Sequence, residues 1–78
     1  MKYIRFKQLG LVIFEDSVQH ANIASMLHPF EPISAGFVHL TLGVCYGDSM
    51  SLNLQALPED TTILRETARM RGLAPTTK

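Results

Sequence analysis

The chain has 78 residues, of which 46% are hydrophobic, and a chain of this length forms one domain that buries roughly 60% of its unfolded surface. Its formal net charge is zero, from seven basic and seven acidic residues, which argues against a dedicated nucleic-acid-binding protein because such proteins depend on neutralising phosphates. A single cysteine excludes an internal disulfide, and one cysteine with three scattered histidines lacks the spacing of a zinc site, so we expect neither a metal nor a cofactor.

Two strands are predicted at the start of the chain. Residues Lys2–Lys7 alternate along the chain, with Ile4 and Phe6 on the apolar face of the strand. Residues Leu9–Phe14 favour extended structure, and they form a second strand or continue the first after a bend at Gly10. This apolar run is far too short to cross a bilayer, so we expect no membrane partner.

A helix should follow these strands. Asp16 and Gln19 have the spacing of a capping box, which predicts that the helix begins at Asp16. The helix should end near His28, because Pro29 disfavours helical geometry in the residue before it. His20 falls on the apolar face of this helix, where we expect it to bond a backbone carbonyl rather than to form a metal or proton-transfer site.

The rest of the chain predicts three strands and a second helix. Residues Ile33–Leu40, Val44–Tyr46 and Met50–Gln55 favour strands, and the last of these alternates strictly between apolar and polar side chains. Pro58 is a favoured residue in the first turn of a helix, and Gly72 is a suitable C-terminal cap. The second helix should therefore extend between these two residues.

These elements predict an α+β fold with the order ββαβββα. Short connections imply antiparallel pairing, so we expect one antiparallel β-sheet with both helices packed on one face. The domain should extend over residues 1–73, and residues 74–78 should form a flexible C-terminal tail. So small a domain with spare apolar surface often buries it by self-association, which predicts a homodimer.

Two glycine-containing turns predict which side chains share a face of the sheet. Gly47-Asp48 suits a two-residue turn that places Cys45 opposite Met50, and Thr41–Gly43 suits a three-residue loop that places His39 opposite Cys45. The predicted core face consists of Ile33, Ala35, Phe37, His39, Cys45, Met50, Leu52 and Leu54. The predicted outer face consists of Ser34, Val38, Leu40, Val44, Tyr46, Ser49, Ser51 and Asn53.

The segment Gly47-Asp48-Ser49-Met50 resembles the nucleophile block of the GDS(L) hydrolases. That resemblance implies a larger α/β domain and a histidine towards the C terminus, whereas no histidine follows Ser49 in this chain. A serine nucleophile needs a base within reach. We therefore predict that this segment is a hairpin turn.

Cys45 and His39 form the better candidate for catalysis, because the predicted register makes them neighbours. A Cys–His pair is nucleophilic when the thiol is ionised and accessible, so a small enzyme or a thiol redox sensor is an alternative hypothesis. The same register buries both side chains among aliphatic residues, and burial raises the pKa of a thiol. The favoured prediction is a structural role, with no catalytic residue in the chain.

Three arginines lie near the end of the second helix. Arg65 and Arg69 are one turn apart on its predicted outer face, and Arg71 is near them in sequence. They could contact phosphate or an acidic partner, so weak nucleic-acid binding through this helix is a second alternative. The neutral net charge favours a solvated helix face instead.

Three segments are similar to parts of small uncharacterised proteins carried by phages and prophages: ISAGFV (33–38), CYGDSMSL (45–52) in the form CYG-x-S-x-SL, and VIFEDSVQH (12–20). The similarity covers most of residues 9–60, and it transfers no catalytic residue. It implies a cytoplasmic accessory protein of a mobile element that binds a host or phage macromolecule.

The sequence therefore favours a non-enzymatic interaction protein that self-associates and has a macromolecular partner. A sheet face or an edge strand would form the contact. A single reduced thiol fits the cytoplasm. The predicted interface consists of apolar and aromatic residues on the sheet face that the helices leave uncovered, namely Val38, Leu40, Val44 and Tyr46.

Overall fold

The computed structural model describes residues 1–70, so the predicted cap at Gly72 and the predicted tail 74–78 lie outside the described residues. The α+β class is confirmed, and four strands form one antiparallel sheet in the order β2-β1-β3-β4. Two short strands form a separate hairpin, so the element order is ββαββββα rather than ββαβββα. The elements are β1 Lys2–Phe6, β2 Gly10–Phe14, α1 His20–Met26, β3 Pro32–His39, β4 Val44–Tyr46, β5 Asp48–Ser49, β6 Leu54–Gln55 and α2 Pro58–Met70.

The two helices lie on opposite faces of the sheet, which corrects the prediction that both pack on one face. Ile4 and Phe6 of β1 belong to a buried cluster against which Ile23 and Ala24 of α1 pack. Tyr3 points to the other face and packs with Leu64 of α2. Successive side chains of a strand point to opposite faces. The central strand β1 is therefore buried on both sides, and Tyr3, Ile4 and Phe6 expose only 0%, 0% and 1% of their surface.

The first helix is shorter than the capping pattern predicts. It begins after Gln19, whose side chain makes no capping hydrogen bond, and it ends at Met26. The residues expected to form the first turn of the helix instead form a separate turn before it. That turn is closed by a hydrogen bond from the N–H of Val18 to the carbonyl of Glu15 (3.1 Å). The carboxylate of Asp16 lies 3.1 Å from the N-terminal ammonium group instead of capping the helix.

The loop between β3 and β4 is one residue longer than predicted. His39 pairs with Val44, and the N–H of Gly43 donates to the carbonyl of His39 (2.8 Å) across the loop. Cys45 therefore lies opposite Val38 instead of His39. Because a one-residue slip moves every side chain of a strand to the other face, Cys45 lies on the α2 face and Val44 on the α1 face.

The predicted strand that follows Gly47 is instead a tight hairpin. Ser49 of β5 pairs with Leu54 of β6, so the residues between them form the hairpin loop. The N–H of Asn53 donates to the carbonyl of Met50 (3.1 Å), and Asn53 has a φ of 56°. Asparagine tolerates this left-handed conformation better than most residues. Met50, expected on the core face, therefore lies in the hairpin loop and is 90% exposed.

Candidate functional site

The structure does not bring Cys45 and His39 together. They lie on opposite faces of the sheet, because His39 pairs with Val44 and Cys45 pairs with Val38. His39 is exposed, and its Nδ1 accepts a hydrogen bond from the N–H of Leu42 (3.3 Å) within the loop. The predicted register that would have assembled this pair is wrong, and no nucleophile–base contact forms between the two residues.

Cys45 occupies a site that suppresses ionisation of its thiol. The side chain is half-buried beside Tyr3 and Val38, and the backbone N–H of Cys45 donates to Oγ1 of Thr61 (2.9 Å). Burial, followed by the nearby charge of Asp60, raises the pKa of the thiol to about 11. At neutral pH the sulfur is therefore held as the unreactive protonated form.

This environment predicts slow alkylation of Cys45 in the folded protein. With iodoacetamide at neutral pH, we expect the folded chain to react at least roughly tenfold more slowly than the chain in denaturant, because the thiolate is the reacting form. The folded-state rate should increase as the pH rises towards 11, where the thiol ionises. Equal rates for the folded and denatured chains at neutral pH would contradict this assignment, because they would mean that the fold neither shields the thiol nor raises its pKa.

A buried polar cluster, not predicted from the sequence, lies between the sheet and α2. We call it the Asp60 cluster, and it consists of Tyr3, Arg5, Ser34 and Asp60. The hydroxyl of Tyr3 donates to Oδ2 of Asp60, and Nε of Arg5 lies 2.7 Å from Oδ1. The Nε–H of Arg5 is directed at the hydroxyl of Ser34 (3.4 Å), so its contact with Oδ1 is an ion pair. Tyr3, Ser34 and Asp60 are fully buried.

The Asp60 cluster holds α2 against the sheet. Oδ2 of Asp60 also accepts the N–H of Leu57 (2.9 Å), the residue before the helix, and so satisfies a backbone donor at the helix start. Burial, followed by the hydrogen bond to Asp60, raises the pKa of Tyr3 above its ordinary range, so the phenol keeps its proton and remains a donor. Because Tyr3 and Asp60 are both closed to solvent, this arrangement supports a structural role rather than contact with a substrate.

One signal in the sequence could have pointed to this cluster. Tyr3 and Arg5 are two residues apart in a strand, so they share a face, and both carry long donor side chains. Polar residues at alternate positions of a strand, taken alone, predict that this face is exposed to solvent. The partner that makes burial possible is Asp60, and the charge of Asp60 in the first turn of a helix already has a sufficient local explanation.

His20 has the structural role that the sequence predicts. Its ring is buried, and Nε2 lies 2.9 Å from the carbonyl oxygen of Gly36. The ring also makes edge-on contacts with Phe14 and Phe37, at centroid distances of 5.5 and 5.9 Å. The predicted bond to a backbone carbonyl is therefore confirmed, and it ties the start of α1 to β3.

Two open grooves flank the β5–β6 hairpin, with volumes of about 540 and 350 Å³. Asp48, Ser49 and Met50 line both of them. The hydroxyl of Ser49 accepts the N–H of Leu52 (3.4 Å) and lies 3.4 Å from the hydroxyl of Ser51, so its described contacts stay within the hairpin. Within residues 1–70, no group of three His, Cys, Asp or Glu side chains could hold a metal ion.

One of the three predicted contact arginines, Arg65, makes hydrogen bonds within the domain. Nε of Arg65 donates to the carbonyl of Gly43 (2.9 Å), and its Nη2 donates to the carbonyl of Leu42 (3.3 Å). Arg65 therefore fastens the β3–β4 loop to α2. Arg69 is exposed in the last turn of α2, and Arg71 lies outside the described residues.

The four predicted interface residues do not share one uncovered face. Val38 is buried beneath α2, in the cluster with Tyr3 and Leu64. Leu40 and Tyr46 are 53% and 52% exposed, Val44 is half-buried, and the neighbouring loop residue Leu42 is 62% exposed. We call the apolar side chains of this hairpin that lie outside the core the β3–β4 surface, and it consists of Leu40, Leu42, Val44 and Tyr46.

A second apolar surface lies at the opposite edge of the sheet. Strand β2 has the sequence GLVIF and carries no charged side chain. Ile13 in this strand and Leu9 just before it are 37% and 46% exposed. None of the helices in the described part of the chain is long and apolar enough to cross a membrane.

Comparison of the chain with protein families, with curated proteins and with solved structures finds no match. The candidate function therefore depends on the two apolar surfaces and on the way in which the potentially reactive groups are buried or separated.

Proposed function

We propose that this protein is a non-enzymatic interaction protein that self-associates and binds a host or phage macromolecule. The proposal includes the cytoplasmic location and the mobile-element context that the similarity to phage and prophage proteins implies. It does not use Val38, because that side chain is part of the core.

The observation that carries the proposal is the amount of large apolar surface left outside the core. Nine large hydrophobic side chains among the described residues each expose at least 37% of their surface. Single exposed apolar residues are ordinary, whereas groups of them on one edge or loop are typical of contact surfaces. Five of the nine lie at two places: Leu40, Leu42 and Tyr46 on the β3–β4 surface, and Leu9 and Ile13 at the β2 edge.

Both alternative hypotheses lack comparable support. An enzyme or redox sensor based on Cys45 requires a base, and His39 lies on the other face of the sheet. Nucleic-acid binding through α2 requires free cationic side chains, and Arg65 already bonds two loop carbonyls. Interaction through apolar surfaces is the hypothesis that these contacts favour.

The first test is the mass of the chain in solution, measured by light scattering over a wide range of concentration with Cys45 kept reduced. We expect the mass to rise with concentration from 8.7 kDa towards twice that value, because apolar surface is buried on association. A mass that stays at 8.7 kDa up to the highest soluble concentration would contradict the self-association part of the proposal.

A further inference from the structure

Backbone hydrogen bonds show which groups of β1 face each neighbouring strand. The carbonyl of Met1 accepts the N–H of Val38 (2.8 Å), and the N–H of Lys7 donates to the carbonyl of Glu31 (2.8 Å). Hydrogen-bonding direction alternates along an antiparallel strand. The odd-numbered residues of β1 therefore bond β3, and the even-numbered residues bond β2.

The same alternation identifies the outward-facing backbone groups of β2. Ile4 of β1 pairs with Val12 of β2, so the even-numbered residues of β2 direct their N–H and carbonyl groups at β1. Leu11 and Ile13 direct theirs away from the sheet. Within residues 1–70, β2 pairs with β1 alone. Such an edge is a template for pairing with another strand.

The other edge of the sheet is covered. Strand β4 pairs with β3 on one side, and the outward N–H of Cys45 donates to Oγ1 of Thr61 on α2 (2.9 Å). The helix thus occupies the position that an added strand would need. Of the two edges of this sheet, β2 is the one that is available for strand pairing.

We propose that two copies of this chain pair through β2, antiparallel about a two-fold axis at Val12, so that their sheets join into one. This inference rests on the proposed self-association and assigns its surface. The register follows from the backbone: with Val12 on the axis, Leu11 of each copy faces Ile13 of the other, and each of these pairs exchanges two hydrogen bonds. If Leu11 or Ile13 were on the axis instead, that residue would face the same residue of the second chain. The other residue would then face a position outside β2 and would have no strand partner.

The side chains fit this arrangement. The strand has no charge, so no like charges meet across the new pair. Each Leu11 lies beside Ile13 of the second copy, and apolar cross-strand pairs of this kind stabilise sheets. The pairing also covers Ile13, which is 37% exposed in the single chain. The β3–β4 surface remains free for a different macromolecule.

Ile13→Lys and Tyr46→Lys form a matched pair of variants for testing this dimer. Each places a lysine at an exposed apolar position, at the β2 edge in one case and on the β3–β4 surface in the other. We expect Ile13→Lys to give the monomer mass at concentrations where the wild-type chain and Tyr46→Lys are dimeric, because edge lysines block strand pairing. Ile13→Pro should behave like Ile13→Lys, since it removes an outward N–H and spares the bonds to β1.

The outcomes separate this inference from the proposed function. A monomeric wild-type chain would overturn both. A dimer that survives Ile13→Lys and Ile13→Pro, or that Tyr46→Lys dissociates, would overturn the β2 pairing and leave self-association standing. Circular dichroism establishes that each variant is folded.

A cross-linking experiment tests the register without those variants. In a Cys45→Ser background, Val12→Cys places a thiol on the proposed axis, next to the same residue of the second copy, at a Cα separation of about 4.5 Å that suits a disulfide. We expect oxidation to cross-link Val12→Cys faster than Leu11→Cys. Faster cross-linking of Leu11→Cys, or none in either variant, would overturn the register.

Discussion

Replacing Asp60 with alanine should lower the free energy of unfolding by about 3–5 kcal/mol, the usual cost of removing one partner from a buried ion pair. The change leaves the hydroxyl of Tyr3 and the N–H of Leu57 without their acceptor, and the guanidinium of Arg5 loses its buried carboxylate partner. These donors lie against a residue that is fully buried, so solvent cannot replace the lost bonds without opening the contact between α2 and the sheet. Unfolding in urea, followed by circular dichroism, measures the loss.

The neighbouring residue provides a control for this prediction. Glu59 also contacts Arg5, at 3.2 Å, but its side chain is 57% exposed. We expect Glu59→Ala to change the free energy of unfolding by less than about 1 kcal/mol, as is usual for a surface ion pair. If the two substitutions had similar effects, the Asp60 cluster would not be what holds α2 in place.

Local patterns in the sequence are sufficient to predict the two strands at the start of the domain and the beginning of its last helix. Alternation predicts β1 and a bounded β-rich run predicts β2, and each strand differs from the structure by one residue at one end. The start of α2 at Pro58 also agrees, because proline fits the first turn of a helix and acidic residues follow it. Each of these signals depends only on residues close together in the chain.

The placement of the helices could not be predicted in this way. Tyr3 and Arg5 give one face of β1 a polar pattern, which indicates a solvated face. That face is buried because Asp60, 57 residues from Tyr3 in the chain, satisfies their donors. A pairing over this distance leaves no periodic trace in a single sequence, so the second layer of the fold was not predicted.

The predicted contact between Cys45 and His39 is wrong for a related reason. The Cys45–His39 pair depends on the length of the β3–β4 loop, and one additional residue places the two side chains on opposite faces. The side chain of Arg65 bonds the carbonyls of Leu42 and Gly43 and so holds the longer loop. The turn-forming residues alone fit the three-residue loop equally well.

Gly36 lies in the segment ISAGFV at a position where a side chain has no room. A Cβ at this position would overlap the carbonyl oxygen of Tyr46 and would lie 3.3 Å from the backbone of Gly47. The obstacle is the backbone that leaves β4, which cannot rotate aside as a side chain can. We expect Gly36→Ala to lower the free energy of unfolding by about 3 kcal/mol, at the upper end of the range for overpacking.

Gly10→Ala is the matched control for this effect, because it adds the same methyl group in open space. Nothing lies within 4 Å of a Cβ at Gly10, and its φ of 82° costs an alanine only about 1–2 kcal/mol of left-handed strain. Urea unfolding should therefore rank Gly36→Ala as the more damaging change, even though the φ of Gly36 lies outside the left-handed range. A smaller loss for Gly36→Ala than for Gly10→Ala would mean that the Tyr46–Gly47 backbone moves away easily, and that β5 and β6 are not held firmly against β3.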